Sequence, residues 1–453
     1  MRVWLAVLPF VAALIRAVPA SAASGDAAAF EASLARGAGL EPLPQAADAA
    51  RLQTRALLAA PLRAADAVRL AFLNNPDLRA RLEELGVARA RAVQAGLPTN
   101  PFVHFALRAP SGGGAARTGR EFGVSEEFLE LASLPLRRRL ASGRYEAARL
   151  ELGHAVLGLA ARVEEAYDAA QAAQARLKAR QDQLQALTAA GLLAAGQRAA
   201  GDASRLDELR RRAAREESAL EVDREQAAAT VARERLSLLM GVQDEGDWTL
   251  APAPPLPAVD PPLPELEETA LNRRWDLEAA RREPALLGRA LALSRLRAVG
   301  GLSLGYDSEK DLDGKFGQGP AVEWSVPLFD RGQARRASLR ARSRAAAARL
   351  EALSARVRFE VRAADAELVQ ARARVEGYDA RLLPLRAQIQ EESLKRYDFM
   401  LAGAYDLLAA RREELQDELG RIGAARDYWT ARARLKLATG GALPPTAASG
   451  GGK

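Results

Sequence analysis

The 453-residue chain contains no cysteine and only two histidines, His104 and His154. Disulfides and thiolate chemistry are excluded, and a histidine–cysteine metal or catalytic cluster cannot be assembled. Aromatic residues make up 5 % of the chain, which is thin for one large globular core. Past the N-terminus, no stretch approaches the roughly 18 consecutive apolar residues that a spanning helix needs. The net charge of +7 is carried by mixed-sign, arginine-rich helical segments and reads as solvated helix faces. It lacks the concentrated basic patch with interleaved aromatics that would suggest nucleic-acid binding. The glycines at 112–114 sit in a turn between two alternating stretches, which is not the setting of a phosphate loop. The many Glu/Arg pairs have helix-surface spacing. No catalytic, metal or cofactor site is expected.

The sequence begins with a secretory leader. Arg2 is followed by an apolar run over 3–15, and Ala20-Ser21-Ala22 forms an A-x-A cleavage site, so residues 1–22 read as a signal peptide and the mature chain as starting near Ala23. Residues 23–62, alanine-rich with Pro42, Pro44 and Pro61, read as a loosely structured lead-in. From there the chain repeats itself. Residues 270–277 repeat 71–78, with Asp276-Leu277 matching Asp77-Leu78 at an offset of 199 residues. Each copy reads as helix, hairpin, long helix, turn and return helix. The first copy covers 63–250 and the second 265–439. A proline-rich linker over 251–264 joins them, and a Gly/Pro/Ser-rich tail fills 440–453. Gly201 and Gly403, matched at an offset of 202, mark the turns of the two long helical hairpins.

Alternation defines the strands. Val103, Phe105 and Leu107 alternate with His104, Ala106 and Arg108; Phe122 and Val124 lie on a second stretch; Leu302, Leu304 and Tyr306 on a third. A polar turn over 309–318 leads to the fourth, where Val322, Trp324, Val326 and Leu328 alternate with Glu323, Ser325 and Pro327. Asp330 stands where it can cap the next helix, which runs without proline from Arg331 to Leu383. The helices have coiled-coil seams: Leu350, Leu353, Val357, Ala364, Leu368, Ala371, Val375, Tyr378 and Leu382 in one, Leu206, Leu209, Ala213 and Leu220 in another. Strands of eight to ten residues suit a tilted membrane strand. A bilayer accepts strands only in a closed barrel, and four cannot close one, so the chain must associate with itself.

Val326-Pro327-Leu328-Phe329-Asp330-Arg331-Gly332-Gln333, followed by an Ala/Arg-rich helix, resembles the second strand-to-helix junction of TolC-like outer-membrane efflux proteins. The resemblance extends over nearly the whole mature chain. It implies a mainly α fold with a small β part. Long antiparallel coiled-coil helices would form a periplasmic tunnel, and four transmembrane strands per protomer would complete a barrel in a homotrimer. It further implies a passive outer-membrane conduit, set in outer-membrane lipid and opened by a periplasmic adaptor and an inner-membrane efflux pump. Many members of that family carry a lipid-attachment cysteine after the signal; this chain has none. Tyr397-Asp398-Phe399-Met400 with 401–408 resembles the tip segment of heavy-metal and drug efflux members. A periplasmic coiled-coil adaptor and a structural envelope rod are the rival classes.

On this reading Val103, Phe105, Leu107, Leu302, Leu304, Val322, Trp324 and Val326 face lipid, and His104, Ser303, Glu323 and Ser325 face the lumen. The turns at Gly201, Ser204 and Gly403 form the far, periplasmic end, where an adaptor docks. Asp202, Asp207 and Asp406 are the nearest carboxylates and the candidate gate, since a ring of them would attract cations. Ser204 and Asp207 also fit a capping box, whereas the turn before Asp406 offers no matching capping role, which makes Asp406 the first choice.

Overall fold

The computed structural model describes residues 47–109, 118–199, 204–243, 247–311, 315–401, 403–441 and 443. The leader, most of the lead-in, Gly201, Asp202 and the end of the tail lie outside the described residues.

The chain folds as α1 (Ala47–Leu58), α2 (Ala64–Asn74), α3 (Pro76–Ala95), β1 (Phe102–Arg108), β2 (Gly119–Glu127), α4 (Phe128–Ala199) and α5 (Arg205–Met240). It continues as α6 (Leu263–Arg273), α7 (Trp275–Arg297), β3 (Gly301–Lys310), β4 (Phe316–Ser325), α8 (Gln333–Gly377), a π turn (Tyr378–Leu382), α9 (Leu383–Asp398) and α10 (Ala404–Ala438). The lead-in is not all loose. Past Pro44 nothing breaks the helix until Pro61, and α1 carries Asp48 in its first turn and Arg55 in its last, as the helix dipole favours.

Each copy opens with two short helices rather than one. Pro76 lacks an N–H and forces Asn75 out of the helical region (φ −64°, ψ 120°), and the Asn75 side chain then accepts from Leu78 N at 2.9 Å. Arg274 makes the same break (φ −67°, ψ 121°) without a proline. Both residues then reach the end of a return helix. Asn75 Nδ2 donates to Leu239 O at 2.9 Å and Arg274 Nη1 to Ala438 O at 3.4 Å, so donors and acceptors alike are 199 residues apart.

The four strands form one antiparallel sheet in the order β1-β2-β3-β4. The turn expected over 309–318 is shorter, because pairing continues through polar side chains as far as Lys310↔Phe316. At the other end β4 stops at Ser325, which leaves Val326 outside the ladder. Asp330 does not cap α8. It accepts from Gly332 N at 2.8 Å and closes the preceding turn, and Gly332, with φ at 71°, is the N-cap.

The first long hairpin is α4, 72 residues and roughly 110 Å long, returning as α5. The helix starts at Phe128 and runs through Pro135. The second hairpin is α8, the π turn and α9, returning as α10. The π turn seats the Tyr378 hydroxyl against Gly420 of α10, so a larger residue there would displace the tyrosine ring.

Two cores hold the body together, one per copy, each where a short helix lies on a long hairpin. In the first, Leu70 and Phe72 of α2 pack with Val156, Val163 and Tyr167 of α4 and with Leu236 and Met240 of α5. In the second, Leu266 of α6 packs with Val357, Val361, Leu368 and Val375 of α8 and with Tyr428 and Leu435 of α10. The expected seam on α8 thus points inward. The seam of Leu206, Leu209, Ala213 and Leu220 on α5 does not: all four are exposed in the protomer. The linker is extended but tethered. Asp260 accepts from Arg372 Nε, Arg432 Nη1 and the Tyr428 hydroxyl at 2.7, 2.7 and 2.9 Å, and the Tyr167 hydroxyl donates to Leu62 O at 2.8 Å beside the Leu62–Leu250 bridge.

Asp168 is buried on α4. Burial first, then Glu164 and Glu165 nearby, pushes its carboxyl up to about 8. Against an unfolded value of about 3.9, the folded state holds the extra proton between these two values. The resulting stability is complete below about pH 4 and is lost as pH rises through about 8. Asp168→Asn is expected to shrink the difference in Tm between pH 5 and pH 9, followed by circular dichroism at 222 nm. An unchanged difference counts against a protonated Asp168.

Candidate functional site

The sheet has two unlike faces. On one, the register puts Val103 beside Val124, Tyr306 and Pro320, Phe105 beside Phe122, Leu304 beside Val322, and Leu302 beside Trp324. The strand residues expected on the apolar side therefore share one face, and Phe105, Leu304, Val322 and Trp324 are exposed there in the protomer. Val326 is exposed too but lies beyond the strand.

The apolar residues do not run straight across the strands. On β1 they centre on Phe105, whose row continues through Phe122 to Ser308 and Gln318. On β4 they centre on Val322, four residues nearer the helices than Gln318. A shift of about 13 Å over three inter-strand steps, about 14 Å, corresponds to a tilt of roughly 40°. Strands tilt by about that angle to the axis of a closed barrel. Within the sheet, the outer edges of β1 and β4 remain unpaired.

The other face is polar and small. Arg108 Nη2 donates to Glu121 Oε2 at 2.6 Å and its Nη1 to Glu309 at 3.3 Å, and His104 Nε2 lies 3.4 Å from Glu121. His104 and Asp307 lean over Gly123, where a Cβ would come within 2.1 Å of both. Ser303 pairs with Glu323 on the same face. Among the described residues no group of three or more His, Asp or Glu side chains is placed to hold a metal ion.

Where helix meets sheet, Gly300 carries φ at 98°, and its missing Cβ would sit 2.1 Å from Ser325 O. Trp324 Nε1 donates to Val299 O at 3.2 Å and pins β4 to the end of α7. Glu130 is held by Arg137 and Arg297 at 3.0 and 2.8 Å. Beside this junction lies a cleft of about 590 Å³, lined by Arg297, Ser325 and Phe329 among others.

The hairpin tips lie at the far end of the long helices. Ser204 Oγ accepts from Asp207 N at 3.1 Å and donates to Asp207 Oδ2 at 2.7 Å. Asp406 Oδ2 accepts from Gly403 N at 3.0 Å. Asp406 therefore has a capping role after all, at the third helical position like Asp207. The alignment of the tips is also corrected. Gly403 is the counterpart of Ser204, 199 residues earlier, rather than of Gly201, so the offset of 199 holds along the whole helical part. The sequence does not mark the backbone conformation of Met400, the one non-glycine residue with positive φ (59°) among those described. It takes the left-handed position that ends α9: Leu401 N bonds Arg396 O and Met400 N bonds Tyr397 O. Its side chain, 93 % exposed, lies between the exposed Phe399 and Leu401.

No protein-family model and no curated protein matches the sequence. Solved structures do match. The CmeC outer membrane channel of Campylobacter jejuni aligns at 18 % identity with a TM-score of 0.70, over 83 % of this chain and 85 % of its own. The open-state MtrE outer membrane channel of Neisseria gonorrhoeae aligns at 19 % identity with a TM-score of 0.67, over 83 % and 88 %. The outer-membrane channel OprN aligns at 23 % identity with a TM-score of 0.67, over 84 % and 90 %. The chain has the TolC-like fold, in which long helical hairpins carry a few strands per protomer.

Gly300→Ala is expected to cost about 1–3 kcal/mol by forcing an L-residue into this strained, crowded position. Gly317→Ala in β4, where a Cβ meets nothing, is expected to fall within about ±0.5 kcal/mol. Urea unfolding of the two variants checks the contrast.

Proposed function

We propose that the chain is the outer-membrane channel of a tripartite export system, a passive homotrimeric conduit. The observation that carries this is the tilted apolar band on a four-stranded sheet with two open edges. In a bilayer those edges must pair, and β1 of one copy against β4 of the next supplies the pairing. Among the described residues no helix is long and apolar enough to cross a membrane, and in this reading the sheet is the membrane element. The apolar face then meets lipid, and the face of Arg108, Glu121, Ser303 and Glu323 lines the lumen. The uncovered seam of Leu206, Leu209 and Leu220 supports self-association through the helices as well.

The tips form the opposite, periplasmic end in this proposal. Ser204 and Gly403, with the exposed Phe399, Met400 and Leu401, offer the surface on which an adaptor would dock, and an inner-membrane pump would supply the energy. Asp207 and Asp406, with Asp202, would form the carboxylate ring. Their capping bonds fix them at equivalent positions in the two hairpins, so the preference for Asp406 gives way to treating Asp207 and Asp406 as a pair. The fold matches solved outer-membrane channels, which favours this class over an adaptor or a structural rod. Cell fractionation with heat-modifiable gel mobility tests it; a protein that is soluble in the periplasm without a heat-modifiable band is not a channel.

Two outcomes refine the proposal. Val322→Arg, in the centre of the band, is expected to cost about 2–4 kcal/mol of barrel stability, and Trp324→Arg, at its edge, about 0–1 kcal/mol. Glu323→Arg is expected to assemble normally. The heat-modifiable fraction reads all three, and the reverse order would invert the assigned faces. In planar bilayers, Asp207→Ala with Asp406→Ala is expected to lower cation selectivity. Parental selectivity in the single and double variants, and with Asp202→Ala added, would remove these residues from the constriction.

A further inference from the structure

The chain's positive charge is concentrated directly below the sheet. Four windows, 88–100, 128–145, 285–300 and 326–345, hold fifteen arginines against two carboxylates, Glu130 and Asp330. The rest of the chain then has fifty basic and fifty-six acidic residues, a net negative charge. The windows are the ends of α3, α4, α7 and α8 nearest the strands, and the fold clamps them together. Arg138 donates to Gly96 O at 2.8 Å, Arg297 pairs with Glu130, Arg289 donates to Arg139 O at 3.2 Å, and Gly332 abuts Ser294. They form one collar within about 20 Å of the last strand residue along α8. Arg335, Arg340, Arg342 and Arg344 of α8 are exposed and pair with no described carboxylate. The α8 arginines do not serve their own helix, since its dipole favours carboxylates at this end and the first turn of α8 has none.

At the same level the chain holds out two apolar side chains. Leu328 and Phe329 are 66 % and 92 % exposed. Their loop is fixed by three bonds: Asp330 Oδ1 accepts from Gly332 N, Gln333 Oε1 from Arg331 N, and Phe329 O from Gln333 Nε2, at 2.8, 2.8 and 3.0 Å. The pair lies between the end of β4 at Ser325 and the start of α8 at Gln333. Fixed apolar tips next to a collar whose exposed α8 arginines have no described carboxylate partner, where an apolar band gives way to charge, complement an anionic lipid surface.

We infer that this collar binds the anionic phospholipid headgroups of the leaflet it adjoins, with Leu328 and Phe329 set among the acyl chains. The inference rests on the outer-membrane proposal above. The contact would hold a protein without a lipidated cysteine at a fixed depth.

The test uses the mature chain reconstituted in vesicles of phosphatidylcholine mixed with either brominated phosphatidylglycerol or brominated phosphatidylcholine. Trp324 is the one strand tryptophan among the described residues and reports the bound lipid by quenching. Phosphatidylglycerol is expected to bind about tenfold or more tightly at low ionic strength and to lose most of that preference in about 1 M salt. The joint variant Arg335→Gln, Arg340→Gln, Arg342→Gln and Arg344→Gln is expected to abolish it. A distal control, Arg205→Gln with Arg210→Gln and Arg212→Gln at the α5 tip, is expected to retain it. Equal binding of the two lipids by the parent, an undiminished preference in the collar variant, or equal loss in the control overturns the inference. A heat-modifiable band without lipid preference defeats the collar alone; absence of that band defeats the channel proposal as well.

Discussion

An apolar sheet face with two unpaired edges constrains the rest of this molecule. Left in water it exposes Phe105, Leu304, Val322 and Trp324 together, and placed in a bilayer as a single copy it leaves two rows of peptide groups unpaired. Closure removes both penalties at once, and neighbouring copies can provide it. The tilt of the band is independent of that argument and matches the angle at which strands cross the axis of a closed barrel. A flat, two-layered sheet has no need to step its apolar residues by four positions between its first strand and its last.

The helical body supports the sheet by repetition. The offset of 199 relates Asp77 to Asp276, Asn75 to Arg274, Ser204 to Gly403 and Asp207 to Asp406, so each hairpin stands on a short helix pair in the same way. The copies keep positions more than chemistry. Asn75 and Arg274 reach corresponding carbonyls with different groups, and only the arginine, buried and paired with Asp276 and Glu360, brings an ionic network with it. Serine caps one return helix and glycine begins the other, yet each has an aspartate three residues later. What persists is the requirement to satisfy the same backbone groups at the same turns.

Much of this was legible in the sequence because it depends on local periods. Alternation located the strands and their apolar face, seam spacing located the buried stripe on α8, and the repeated 71–78 segment exposed the duplication. Features decided between distant segments were not legible. Nothing in the composition of 251–264 shows that Asp260 will be gripped by Arg372, Arg432 and Tyr428, which turns an extended linker into a strap. The seam at Leu206, Leu209 and Leu220 reads like the one on α8, but the protomer leaves it bare. The capping role of Asp406 escaped notice because its partner is a glycine N–H, which no side-chain pattern marks. Met400 escaped because positive φ is the habit of glycine, and here a methionine holds it.

The arginine collar shows why a single net charge misleads. A value of +7 spread evenly over these helices would reflect ordinary solvated surfaces, as the mixed-sign runs of α10 suggest. Folding brings together four windows that are far apart in sequence, and the collar then exceeds the charge of the whole chain while the remainder turns negative. At a Debye length of about 8–10 Å, arginines in such a collar feel one another and whatever lies next to them, but not the hairpin tips some 100 Å away. The two ends of the molecule are electrostatically separate. The carboxylates at the tips, Asp207 and Asp406, and the arginines of the collar therefore do not cancel one another.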